Sequence, residues 1–428
     1  MFQTIINAFK IKEVRRKILI TIALLFVYRL GCHIPVPGVN VFDGLEDYTF
    51  LQIMSAVSGG ALTYGTFFAM GIGPYINASI IVQLLTVGIP ALERLSKQGE
   101  EGKRKINNIT RIVTLILAIA QAIGIIAAFK GSINTNQIFG NEGIVRFLSY
   151  AFLVVIYTAG ACLTMWLGER ITDYGVSNGI SLLIFAGILS TAGTAILGLI
   201  GDLFVAETAQ KAAWTLISFV IATIVIFAAI VAVDSAERKI PVQYAKQVKG
   251  RKMYGGQSTH IPIKVNASGV MPLIFAFAIL SFPDLIMNLV GVSDNWWIRN
   301  MGSGSWPYMV ILCVFILFFS YFYNQIQFNP DDISKSIQGN GGFIPGTRPG
   351  KPTADYLKKI SNRITLFGAI FLALVALIPS VVFKAIGGEG LMNVFSATGL
   401  LIIVSVALEF DQALQSQIMM KNYKGFLK

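Results

Sequence analysis

A chain of 428 residues with 54% apolar and 13% charged side chains has too little charge to coat a water-soluble globule, where roughly a quarter of residues are charged. That excludes an ordinary soluble enzyme and makes lipid the main solvent. The net charge of +12 admits either a nucleic-acid surface or a membrane protein that gathers Lys and Arg on its cytoplasmic side, and the placement of the charges decides between them.

The N-terminal stretch MFQTIINAFKIKEVRRK is basic and precedes an apolar run, as in a signal peptide, but no A-x-A-like cleavage site follows. It is expected to be a cytoplasmic tail, 1–17, ahead of a retained first span. Apolar runs long enough to cross a hydrocarbon core of about 30 Å then predict ten transmembrane helices. They cover 18–35, 66–88, 111–129, 147–167, 180–200, 212–233, 266–290, 306–327, 364–383 and 393–410. With the N-terminus inside, the cytoplasmic segments hold 28 of the 34 Lys and Arg. The other six are Arg29, Lys130, Arg146, Lys211, Arg299 and Lys384. This asymmetry supports an even number of spans, with both termini cytoplasmic. Cys32, Cys162 and Cys313 fall inside apolar runs without metal-type spacing and are expected to be small core residues.

Three segments do not fit simple spanning. Residues 36–65 pass from Pro35-Val36-Pro37-Gly38 through Asp43, Glu46 and Asp47 to a small-residue stretch that is apolar but too short to cross. It is either a re-entrant half-helix, tolerated at membrane depth only where protein buries it or a wet cavity borders it, or an external loop. The other two are long cytoplasmic loops, 234–264 and 328–363, with Gly-rich basic tips. Loops of that length either do a job or form a solvated charged face that sets topology.

No G-x-x-x-x-G-K-[ST] phosphate loop occurs, so energy for any transport must come from elsewhere. His33 and His260 stand apart from any H-E-x-x-H or Cys/His cluster, so neither a metal nor another cofactor is expected. The spans are almost free of ionisable groups, except Arg29, which can snorkel or pair with a neighbour, and Glu409 at the cytoplasmic end of the last span. A coupled solute transporter usually keeps charges at mid-membrane, and an intramembrane enzyme needs a nucleophile or metal cluster. A passive conduit fits better.

The segment Ser58 to Thr86, SGGALTYGTFFAMGIGPYINASIIVQLLT, resembles the plug and second helix of the SecY family of protein-export channel subunits. Phe26-Val27-Tyr28-Arg29-Leu30-Gly31 running into Ile34-Pro35-Val36-Pro37-Gly38 is similar to that family's first helix and exit. Gly179 to Ile188 is similar to its fifth helix, Gln257 to Asn266 to the lead into its seventh, and Gly342 to Gly350 to its distal cytoplasmic loop. The resemblance covers nearly the whole chain.

It implies an all-α membrane fold: two inverted pseudo-symmetric halves of five helices, 18–205 and 206–410, with a re-entrant plug half-helix and a cytoplasmic C-terminal tail, 411–428. Carried over by position, the pore ring falls on Ile72, Ile76, Ile184, Ile188, Ile274 and Ile402. Such aliphatic constrictions gate by dewetting. The plug falls on Ser55, Ala56, Val57, Ser58, Gly59, Gly60, Ala61, Leu62, Thr63 and Tyr64, whose small side chains predict loose packing below the ring. Asn77, Gln83, Gln121 and Phe282 take candidate positions on a lateral gate between spans two and three and spans seven and eight, where polar groups can hydrogen-bond when it is shut. Lys249, Arg251, Lys252 and Arg348 would contact a motor or ribosomal RNA, with Arg348 displayed on a Gly/Pro turn. The implied partners are SecE-type and SecG-type membrane subunits, a SecA-type ATPase, the ribosome and preprotein substrates with their signal sequences. The implied location is the bacterial plasma membrane.

Overall fold

In lipid every backbone N–H and C=O must find a partner within the protein, so each apolar run folds as a helix. The computed structural model describes residues 2–42, 49–140, 142–202, 204, 209–244, 247–249, 252–254, 258–266, 269–290, 296–301, 305–386 and 397–425. The helices in chain order are α1 (Phe2–Lys10), α2 (Lys12–Gly31), α3 (Thr49–Val57), α4 (Gly73–Gly88), α5 (Pro90–Ser96), α6 (Gly99–Ala128), α7 (Gly143–Tyr174) and α8 (Gly179–Asp202). They continue with α9 (Ala209–Asp234), α10 (Met271–Val290), α11 (Trp296–Asn300), α12 (Trp306–Gln327), α13 (Pro330–Gly339), α14 (Lys351–Ile386) and α15 (Ala397–Gly425).

The ten expected spans appear in order as α2, α4, α6, α7, α8, α9, α10, α12, α14 and α15. Seven of the described helices pass as membrane spans on length and apolarity alone. The second span joins them only as a bent pair, α4 turning by 105° into α5 where Pro90 opens the next helix. Charged residues at the start of α2 dilute its apolar run. Several helices outrun their predicted spans. α6 starts at Gly99 and α14 at Lys351, and α15 runs to Gly425, so much of the expected C-terminal tail is helix. Hydropathy marks only the lipid-facing part of such a helix, while its polar turns continue into water. The second span instead begins late, at Gly73, because residues 58–72 form a succession of turns.

The buried residues gather into distinct cores. One joins α9, α10, α12, α14 and α15 through Ile230, Leu273, Phe275, Ile316, Phe319, Leu372 and Leu401, and takes in Ile80 of α4 and Ala192 of α8. A second binds α3 to α6 and α7 through Leu51, Met54, Ala118, Ala122, Leu153 and Tyr157. A third lies among α2, α4, α7, α8 and α15. Large apolar side chains such as Phe147, Trp214, Ile224, Val310 and Phe367 point outward, as lipid solvation allows.

The two long loops are not independent. In the first, β1 (Glu237–Tyr244) pairs antiparallel with β4 (Ser258–Lys264), while β2 (Gln247–Lys249) and β3 (Lys252–Tyr254) form a small hairpin at the tip. In the second, β5 (Gly342–Phe343) adds to the other edge of β1, giving the order β4-β1-β5. Alternation along β1 turns Ile240 and Val242 inward to meet Ile263, Ile337, Ile344 and Leu357. The Leu357 side chain, at the base of α14, is fully buried in this cluster. Leu357→Ala is therefore expected to cost about 2–5 kcal/mol of local packing, and limited trypsin digestion should then cut both loops faster. Cleavage of one loop alone would show that they do not share a core.

Candidate functional site

The expected plug helix lies earlier than its assigned residues. α3 covers Thr49–Val57, so of Ser55 to Tyr64 only Ser55, Ala56 and Val57 are helical, and the rest are turns. Gly59, at φ +71°, takes a left-handed conformation that favours glycine and stops the helix. The N–H of Gly60 then donates to the Ser55 carbonyl at 2.8 Å and that of Gly59 to the Ala56 carbonyl at 3.2 Å, the paired bonds of a Schellman cap. The Ser58 hydroxyl donates back to the Ser55 carbonyl, and the Ser55 and Thr63 hydroxyls share a hydrogen bond at 2.7 Å.

Of the ten assigned residues Ser58, Ala61 and Leu62 are buried and the others half-buried or exposed. Leu51, Met54, Ser58, Ala61 and Leu62 are all buried, with Leu62 at 0% exposure. Burial of a leucine-sized side chain is worth about 1.5–3 kcal/mol, so this segment leaves its seat only at a cost. The seat is completed from α2 and α8. Arg29 donates from its guanidinium to the Gly59 carbonyl at 3.1 Å, the pairing that its lipid-embedded charge requires. The Thr191 hydroxyl is shared between the Ala56 carbonyl, at 3.0 Å, and the Gly187 carbonyl of its own helix, at 3.1 Å. A Cβ at Gly187 would overlap the Val57 carbonyl oxygen and lie 3.3 Å from the Gly59 nitrogen, so the missing side chain is what lets α3 and α8 touch.

Gly187 sits between Ile184 and Ile188, and there the expected aliphatic residues converge. Ile72, Ile184, Ile188 and Ile402 are buried in one cluster with Ile76 packed against it. Ile274 packs against the neighbouring core, which Ile76 and Val270 also touch. Ile72 is the N-cap of α4, its carbonyl accepting from the Ile76 N–H at 3.1 Å, so the pair shares a face although only Ile76 is inside the helix.

At the expected lateral seam, α6 and α10 pack together and Ile80 of α4 enters the core around α10. The hydrogen bonds expected there are not seen among the described residues. Asn77 and Gln83 are half-buried, and Gln121 is buried with its amide oxygen unpartnered. The side chain of Phe282 lies outside the described residues.

Arg348 is exposed on a turn bounded by Gly346 and Gly350, both at positive φ, and pinned by the Thr353 hydroxyl donating to the Arg348 carbonyl at 2.8 Å. Arg251 and the side chains of Lys249 and Lys252 lie outside the described residues. Sequence reasoning missed Thr191 and Gly187. Thr191 lies outside every quoted motif, and Gly187 lies within the Gly179 to Ile188 stretch but is singled out only by the docking of α3 on α8.

Apolar helices packed against an irregular segment, which is held by α2, α6, α7 and α8, define a polytopic membrane protein. A family model described as SecY matches residues 66–410. Curated relatives described as protein translocase subunit SecY include those of Corynebacterium glutamicum, 42% identical with 99% of each chain covered, and Streptomyces griseus, 41% identical with 100% of each covered. The fold is similar to a solved protein-conducting channel, with TM-score 0.68 at 20% identity over 94% of this chain and 92% of that one. It is also similar to Sec61 in the canine ribosome-channel complex, with TM-score 0.64 at 18% identity over 94% and 92%. The chain belongs to the SecY family.

Gly187→Ala places a methyl group against backbone rather than a flexible side chain. It is expected to destabilise the seating of α3 by about 1–3 kcal/mol. Amide hydrogen exchange across 49–57 should accelerate by roughly fivefold to a hundredfold, at about 1.4 kcal/mol per tenfold. Unchanged exchange there would mean that α8 does not hold the segment.

Proposed function

We propose that this chain is the pore subunit of a protein-conducting channel, closed in the structure described. It passes unfolded polypeptides across the bacterial plasma membrane and releases hydrophobic segments sideways into lipid. The observation that carries this reading is the stacking of α3 on Gly187, within the same turn of α8 that supplies Ile184 and Ile188 to the aliphatic cluster. A path for chains of every composition needs a seal with no fixed charge. Branched aliphatic side chains exclude water when they meet and part around a peptide.

In this reading Ile72, Ile76, Ile184, Ile188, Ile274 and Ile402 form the constriction, and residues 49–64 form the plug. Asn77, Gln83, Gln121 and Phe282 line the seam that opens to lipid. The halves 18–205 and 206–410 part around the pore. Both termini and the two sheet-linked loops face the cytoplasm, where Lys249, Arg251, Lys252 and Arg348 meet a SecA-type ATPase or the ribosome. The ribosome-channel complex of the similar canine Sec61 supports the ribosome as a partner. SecE-type and SecG-type subunits complete the complex.

The test is a preprotein stalled during import into proteoliposomes that carry the channel with single cysteines at 72, 76, 184, 188, 274 or 402. Crosslinks to all six are expected, with few to lipid-facing Phe367→Cys. A stalled chain that bypasses these positions overturns the constriction. Arg348→Glu should lower ATPase-driven import several-fold while ion conductance at rest stays unchanged. Normal import would remove Arg348 from the motor contact.

A further inference from the structure

At the end of the bundle opposite the sheet-linked loops, the connection between α6 and α7 borders an open cavity of about 320 Å³ lined by Asn40, Lys130, Asn134, Thr135, Arg146 and Tyr150. Two of the six cations that lie away from the basic loops meet there. We propose that this cavity binds the phosphodiester of a phospholipid in the adjacent leaflet.

The floor is prebuilt by backbone. Asn40 N–H donates to the Ser132 carbonyl at 2.9 Å and Asn134 N–H to the Gly38 carbonyl at 2.8 Å, with Val39 bridged to Ile133. Phe42 stacks on Phe129 at 4.8 Å beneath Lys130. On the wall, the Arg146 guanidinium lies 5.8 Å from the centre of the Tyr150 ring, with a long 3.5 Å contact to its hydroxyl. Neither Lys130 nor Arg146 forms an ion pair among the described residues. Glu142, one turn before Arg146, caps α7 without engaging it by side chain. Two cations and the Asn40 amide therefore face the cavity with donors to spare, the set an oxyanion takes up.

The same turns place the cavity at the lipid boundary. Ile144 is 79% exposed and Phe147 73% exposed on either side of Arg146, and Phe139 is exposed beside the cavity with its ring edge-on to Phe152. A guanidinium flanked by lipid-facing apolar side chains is at headgroup depth, where Tyr also prefers to lie. Acyl chains would cover Ile144 and Phe147 while the phosphate reaches Lys130 and Arg146. A phosphate ion from solution would use the same donors but gain nothing from that apolar rim.

Full-length protein in a neutral detergent is exposed to photoactivatable phosphatidylglycerol, and crosslinked peptides are mapped. Labelling of 130–150 is expected, falling at least fivefold in K130Q/R146Q and retained in K130R/R146K, with melting temperature recorded for each. K97Q/K105Q, on the opposite face, should leave it unchanged. Labelling of 130–150 that persists in a folded K130Q/R146Q protein overturns the site. Equal protection by inorganic phosphate and by unlabelled phosphatidylglycerol at matched concentration overturns the lipid assignment and leaves a simple anion site.

Discussion

An irregular piece of backbone at membrane depth must have its polar groups answered by protein or by the water of a bordering cavity, since lipid offers no partner. In this molecule the demand falls on the end of α3, where the Schellman cap leaves the Gly59 carbonyl, and a second lone pair on Ala56, facing the bundle. Arg29 and Thr191 meet that demand from two different helices. A hydrogen bond to a charged group is worth about 1.5–3 kcal/mol and a neutral one about 0.5–1.5. The polar seat is thus strong enough to favour one position by roughly a hundredfold, at about 1.4 kcal/mol per tenfold, yet weak enough to be overcome by a passing chain.

The seat also connects groups that would otherwise have separate explanations. Arg29 is the charge that the first span retains, and its partner is backbone rather than a carboxylate. Gly187, after Phe185 and Ala186, leaves a gap between Ile184 and Ile188 at the point where α3 approaches. Ile184 and Ile188 flank that gap, so the aliphatic cluster and the half-helix are positioned by the same turn of α8. The half-helix and the cluster meet at a contact no wider than one missing methyl group.

Much of this was legible before any coordinates. The ten apolar runs gave the spans because lipid imposes a length and a composition that few other constraints imitate. The boundaries were less legible, since α6, α14 and α15 continue as polar helix where hydropathy falls silent. The half-helix was sought too late in the chain. Gly59-Gly60 ends a helix rather than lying within one, and that signal favours residues before it. Strand β5 is not legible in the sequence because it has two residues and pairs with a segment a hundred positions away, a contact no local pattern records. Thr191 was invisible for the same reason, since a threonine on an apolar helix ordinarily bonds its own preceding turn.

α14 has 36 residues and runs unbroken from Leu357 in the loop core, past Leu372 and Val375, into the membrane. Up to Pro379, which supplies no backbone donor, the 28 residues from Lys351 to Ile378 form a rod about 42 Å long at 1.5 Å per residue. Gripped at its base by the shared sheet, such a rod magnifies: a tilt of about 5° there would swing its far end by roughly 4 Å. A docking event on the loops need not reach into the bilayer to be felt across it, since leverage carries the displacement.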